Sequence, residues 1–261
     1  MDSSQSSYRY VGVDGFTPNS GSPWTSFGAV SSVKPDSKDP AGFIFTGVSP
    51  GAGLPAPVLK IQLLGPAAFR VRFNPRNSTG DYSQDGSYAV VNRTLGPIQF
   101  KVLRSDADLW SVALSPDVAV RLDVRLRPFS VQVYRNQVLI SADEAQGLVY
   151  LPSVPGAQAV ANFKRFPANA HYFGFGEKAG NSLDLSNNSM TFFNYDNYKY
   201  SGAAQGYGSV VPDFSCPGPL NSAEPLYNSI PFLIEDNPNP KLNLQSSWQR
   251  SGALPRNLRG R

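Results

Sequence analysis

VAVRLDVRLRPFSVQVYRNQVLIS, Val118 to Ser141, is the stretch whose reading decides the fold class. Val118, Val120, Leu122, Val124 and Leu126 occupy every second position, with Ala119, Arg121, Asp123 and Arg125 between them. Successive side chains of a strand point to opposite faces, so this period of two lays an apolar row on one face and a mostly polar row on the other. FSVQVY and VLIS are two further short apolar runs, and the Arg135-Asn136-Gln137 step between them predicts a hairpin turn.

The same texture extends towards the N-terminus. In VLKIQLLG, Leu59, Ile61 and Leu63 alternate with Lys60 and Gln62, and in FRVRF three apolar residues alternate with Arg70 and Arg72. Both read as strands with one wet face. Ile98, Phe100 and Val102 alternate in PIQFKVL. No eleven-residue window carries helical spacing, and no fixed-period repeat is present. Only 16 % of the 261 residues are charged, and 23 glycines with 23 prolines favour many turns and few long helices. Turn signals recur about every ten residues, as sandwiches require. The fold class expected is all-β, a β-sandwich.

Residues 1–54 are rich in Ser, Pro and Gly and predict an irregular lead-in, with one strand near Gly42 to Val48. The main domain is expected over 55–240, where EPLYNSIPFLIEDNPNP reads as a loop, a buried strand from Ile230 to Ile234, and an Asn-Pro turn. Residues 241–261 show no amphipathic pattern and are expected to form a basic tail without regular structure.

Charge and cysteine content exclude several function classes. The net charge of +4 comes from that tail, which carries Lys241, Arg250, Arg256, Arg259 and Arg261 and no acid, so the body is close to neutral. A nucleic-acid binder needs a basic face on the fold itself. Cys216 is the only cysteine and His171 the only histidine, which removes disulfides, zinc clusters and most nucleophilic triads. No metal or organic cofactor is expected. Asn77, Asn92 and Asn187 head N-x-S/T triplets of a kind that arise by chance in such a sequence. The N-terminus lacks an apolar run of signal-peptide type and no segment approaches membrane-spanning length, so a cytoplasmic chain is expected.

The last third holds the candidate chemistry. His171, beside Tyr172 and Phe173, reads as a core or hydrogen-bonding histidine. Gly174 and Gly176 in FGFGEKAG lack the third glycine of a dinucleotide fingerprint and suit a tight turn with positive φ. Glu177 and Lys178 would then be an ion pair or loop anchors. Glycosidic chemistry needs two facing carboxylates, and Glu177, Asp184, Asp196, Asp213 and Glu224 are available, although sequence does not pair them. MTFFNYDNYKYSG, Met190 to Gly202, interleaves Phe192, Phe193, Tyr195, Tyr198 and Tyr200 with Asn194, Asp196 and Asn197. Rings stack on pyranose C–H faces while amides and carboxylates bind vicinal hydroxyls; the same mixture also suits a packed hairpin.

HYFGFGEKAG, MTFFNYDNYKY and PLYNSIPFLIE, in that order, resemble the N-terminal region of glycoside hydrolase family 31. FNYDN followed by EPLYNS and NPNP looks most like its α-1,4-glucan lyase branch. The resemblance covers residues 55–240 and includes FRVRFNP and PFSVQVY. It implies a galactose-mutarotase-like β-sandwich (supersandwich) that precedes a (β/α)₈ barrel, with one loop lining the substrate cleft. By motif match that loop holds Asn194, Tyr195 and Asp196, and Asp196 would hydrogen-bond sugar hydroxyls near the aglycone side of the scissile bond. The implied substrate is an α-glucan or maltooligosaccharide, and the implied packing partner is the catalytic barrel.

The family's catalytic aspartates lie on that barrel, so none is assigned here. The chain reads as a member truncated before the barrel, inactive alone, with an apolar barrel-facing patch that favours aggregation. The alternatives are a free-standing carbohydrate-binding module and, with one histidine available, less readily an aldose epimerase.

Overall fold

Alternation, rather than helical spacing, organises the computed structural model, which describes residues 24–84, 97–115, 119–152, 159–167, 169–178, 182–186, 192, 228–237 and 244–249. The chain divides into two compact units. The larger comprises residues 17–168 and 240–250 and is a two-sheet sandwich. The smaller comprises residues 1–16, 169–239 and 251–261. All regular elements among the described residues are strands.

In the larger unit, β1 is Thr25–Ser26, β2 Val30–Asp36, β3 Asp39–Gly47, β4 Val58–Gly65 and β5 Ala68–Phe73. β2 to β5 pair in sequence as an antiparallel sheet. β6 is Lys101–Ser105, β7 Leu109–Ala113, β8 Val120–Leu126, β9 Phe129–Arg135, β10 Val138–Tyr150, β11 Val160–Pro167, and β14 Leu244–Gln249. These form the second sheet in the order β14-β11-β10-β9-β8-β7-β6, with β1 also paired to β10. The all-β sandwich expected from the alternation is therefore present.

The Val118–Ser141 stretch supplies its centre. Leu122 and Val124 on β8 are fully buried, and Phe129 and Val131 on β9 join them. A two-residue turn joins β9 to β10, with φ of 49° at Asn136 and 65° at Gln137. That is the left-handed pair that matches the twist of a tight hairpin.

The lead-in is more ordered than its composition suggests. β2 and β3 belong to the same sheet as β4 and β5, so the sandwich begins well before residue 55. Phe43 and Phe45 on β3 lie against Trp110 on β7, with ring centroids 4.7 and 5.4 Å apart. Phe27 meets Phe129 at 4.9 Å. Aromatic side chains contribute large buried areas, so residues of the expected lead-in take part in the contact between the sheets.

Two further expectations change. Lys60 is buried, because its ammonium reaches Asp36 at 2.6 Å and Asp39 at 2.9 Å across the sheet face. A paired charge tolerates burial that an unpaired one does not. Leu244–Gln249, expected in an unstructured tail, forms the edge strand β14 through backbone pairing with β11, from Asn162↔Gln249 to Pro167↔Leu244. A strand pairs through its main chain, which explains why side-chain pattern gave no sign of it.

Candidate functional site

The smaller unit holds an antiparallel pair of strands far apart in sequence, β12, His171–Gly176, and β13, Ser229–Asp236. Pairs run from His171↔Asp236 through Gly174↔Leu233, then resume at Gly176↔Ser229. Across that break β13 uses more residues than β12, and the shorter strand bends sharply. Gly174, Phe175 and Gly176 have φ of 105°, 71° and 76°. The glycines suit this doubly, since a Cβ at Gly174 would lie 2.8 Å from the Phe232 carbonyl oxygen and one at Gly176 would lie 2.5 Å from the Ile230 nitrogen. FGFG is thus a strand irregularity of the kind positive φ requires.

His171 Nδ1 lies 2.6 Å from Asp184 Oδ2. Asp184 Oδ1 accepts hydrogen bonds from the Ser186 hydroxyl and from the backbone N–H groups of Ser186 and Tyr172. The Ser186 hydroxyl and His171 hold the Asp184 carboxyl well below the usual carboxylate range. His171 therefore acts as a hydrogen-bonding residue that fixes residues 182–186 to β12, and Asp184 is engaged in that network. The Tyr172 hydroxyl donates to Glu235 Oε2 at 3.2 Å. Burial, followed by the Glu235 charge, raises its pKa.

Phe192 is the described residue of the aromatic-amide stretch. Its ring lies 6.1 Å from that of Phe175, and the Lys178 ammonium sits 4.9 Å from its centroid. Lys178 also reaches the Ser229 hydroxyl at 3.4 Å. Burial lowers the Lys178 pKa to about 8, a shift that the electron-rich ring face opposes. Of the two roles expected for Lys178, ion pair or loop anchor, the contact with the Phe192 ring fits an anchor.

Asn194, Tyr195 and Asp196 lie outside the described residues, as do Asp213 and Glu224. Among the described residues no group of histidine, cysteine and carboxylate side chains could hold a metal ion. No helix of the described residues is long and apolar enough to cross a membrane.

β13 corrects the expected buried strand. Ile230, Phe232 and Ile234 are 44, 61 and 56 % exposed. They alternate along the strand, so the three present one apolar stripe, while Leu233 between them and Glu235 beyond Ile234 are half-buried.

The chain is similar to known proteins in sequence and in fold. Residues 58–243 match the glycosyl hydrolase 31 N-terminal galactose mutarotase-like domain. Alpha-glucosidase 2 of Bacillus thermoamyloliquefaciens is 27 % identical over 179 residues, covering 68 % of this chain and 19 % of that protein. A Flavobacterium johnsoniae family 31 dextranase solved with isomaltotriose superposes with a TM-score of 0.57 at 18 % identity, covering 81 % of this chain and 21 % of that one. The glucosidase II alpha subunit bound to an α3-linked diglucoside gives 0.54 at 17 % identity, covering 80 % and 26 %. This chain spans about a fifth of the length of the curated relative it matches. With β4 to β11 of the sandwich, the FGFG irregularity and β13 inside the matched range, the chain belongs to glycoside hydrolase family 31 by way of its N-terminal galactose mutarotase-like domain.

Proposed function

We propose that this chain supplies the substrate-lining N-terminal domain of an α-glucan-active family 31 enzyme, an α-glucosidase or α-1,4-glucan lyase. The observation that carries the reading is the family match over residues 58–243, which contains the FNYDN motif between GFGEKAG and PLYNSIPF. In it Asp196 accepts hydrogen bonds from sugar hydroxyls, Asn194 and Tyr195 complete the contact, and bond cleavage belongs to carboxylates of a catalytic barrel. The apolar stripe of Ile230, Phe232 and Ile234 supports this division, because such a surface suits burial against another domain.

Two measurements test the reading. The chain alone is expected to release neither glucose nor 1,5-anhydrofructose from maltose; release of either overturns the division of labour. In a protein that joins this domain to a family 31 barrel, Asp196→Ala is expected to raise KM for maltose about tenfold, the loss of one charged hydrogen bond. An unchanged KM removes Asp196 from the site. Tight calorimetric binding of maltotriose by the chain alone favours a free-standing carbohydrate-binding module instead.

A further inference from the structure

β10 changes partner part-way along its length. It pairs with β9 from Val138 to Ala142, and at Val149 and Tyr150 it pairs with β1 instead. Between the two lies a bulge in which four residues of β10, Glu144 to Gly147, stand against Phe163 alone on β11. There β10 parts from the first residues of β9, and residues 25–28 enter the wedge. The Phe27 N–H donates to the Leu148 carbonyl at 2.8 Å, and the Gly28 carbonyl accepts from the Phe129 N–H at 2.8 Å. The inserted segment thus bonds to β10 on one side and to β9 on the other. The Phe27 ring is 1 % exposed and packs on Phe73 and Phe129, with centroids 5.5 and 4.9 Å away.

The walls of the wedge are built by contacts that leave this segment out. Where β9 loses β10, one oxygen of the buried Asp143 carboxylate accepts the Val131 N–H at 2.9 Å. The other is held by Lys164 Nζ at 2.7 Å and Asn162 Nδ2 at 3.3 Å, both on β11. A buried carboxylate tolerates its position when it is paired, and donors from two flanking strands fix this one from both sides. Gln146 takes φ of 60°, and a Cβ at Gly147 would lie 2.6 Å from the Phe163 carbonyl oxygen, so glycine alone fits the bulge there. What the wedge offers is main-chain groups on two edges, at Phe129 and Leu148, beside an aromatic-lined pocket for one side chain. Recognition of an added strand works in this way, with main-chain bonds giving affinity and side-chain pockets giving specificity. We propose that the β9–β10 wedge is a preformed strand-binding site for an extended peptide carrying an aromatic side chain. Residues 24–29 are its ligand in cis, and they leave and re-enter it without unfolding the sandwich. The site lies in the larger unit and does not depend on sugar contact elsewhere in the chain.

Amide hydrogen exchange on the full chain tests the site, read in peptides covering 24–29 and 145–151, with 120–126 on β8 as control. In the unmodified chain both test regions are expected to exchange faster than the control, as one local opening. Exchange of 24–29 only at the rate of the control overturns the proposal. Phe27→Ala is expected to speed both test regions about a hundredfold, through the lost burial of the ring, with the control unchanged. Equal acceleration of the control, or none in 145–151, overturns it. Free peptide WTSFGA, the sequence of residues 24–29, is then added to the Phe27→Ala chain at about 1 mM, the effective concentration that a short tether supplies. It is expected to restore protection of 145–151, and the same peptide with alanine in place of its phenylalanine is expected to leave 145–151 unprotected. Absence of restoration, or equal restoration by both peptides, rules out a strand-binding site with an aromatic pocket. Should Phe27→Ala fail to fold, Phe27→Leu decides by the same readouts, with about tenfold acceleration expected in the test regions and an unchanged rate there overturning the proposal.

Discussion

A lysine carried into the sandwich surface is stable only with its two carboxylates. Lys60 binds Asp36 and Asp39, and Gly42 leaves the space: a Cβ there would come within 2.8 Å of Asp39 Oδ2 and 2.9 Å of Lys60 Cε. Gly42→Ala is expected to destabilise the chain by about 1–3 kcal/mol, the range for crowding a packed site, measured by urea denaturation. Burial pushes the Asp36 carboxyl up, but hydrogen bonds from the Lys60 ammonium and the Lys38 N–H outweigh it, and the net shift is downward. A depressed carboxylate stabilises the fold fully above its unfolded pKa and loses that contribution as pH falls through the folded value. The stability advantage over Asp36→Asn is therefore expected to hold at pH 6 and to shrink below the ordinary value of 3.8. For Lys178 it is the charged form that folding disfavours, and stability again rises with pH. Its folded pKa, about 8, lies below the ordinary 10.5, so the cost of its burial is fully present below pH 8 and is relieved as pH rises towards 10.5.

The β9–β10 hairpin carries a prediction that belongs to the element. Gln137 occupies a left-handed position with φ 65°, where glycine is preferred after asparagine. Gln137→Gly is expected to raise stability by up to about 1 kcal/mol, seen as a higher thermal midpoint. This hairpin was legible in the sequence because periodicity and turn chemistry agreed on it. So were β4 and β8, whose alternating residues face a core, and β5, where Phe69 and Phe73 pack on it although Val71 is exposed. β3 was legible too, as the strand expected near Gly42 to Val48, but β2 was not, since VSSVKPD mixes apolar residues with the Ser and Pro that mark loops, and its strand character comes from pairing with β3. The GFG turn was legible as a glycine-dependent bend, whereas the burial of Phe175 against Phe192 depends on a contact that no local pattern encodes. β13 was recognised as a strand and misjudged in burial, because an apolar row carries no information about which surface covers it.

At the scale of the molecule, the sandwich depends on its first strands. Phe45 is fully buried and contacts both Trp110 and Phe129. Removing one buried phenylalanine costs about 3–5 kcal/mol, and domains are stable by only about 5–15 kcal/mol. Deleting residues 1–54 is accordingly expected to abolish the cooperative thermal transition rather than lower its midpoint. The stripe on β13 predicts behaviour in concentrated solution: Phe232→Lys with Ile234→Lys is expected to suppress self-association in light scattering while leaving the thermal midpoint within a degree or two, since exposed substitutions change stability by only about 0.5 kcal/mol.

β14 has a consequence in time rather than in space. Its partner β11 ends at Pro167, yet β14 begins only at Leu244. Everything between the two is made on the ribosome while the free side of β11 waits with its hydrogen-bonding groups unmatched. An open strand edge is a template for any passing chain, so translation of residues 168–243 is the interval in which a nascent copy is most vulnerable. A pause before Leu244 should prolong that interval, and a late-acting chaperone should be most useful there.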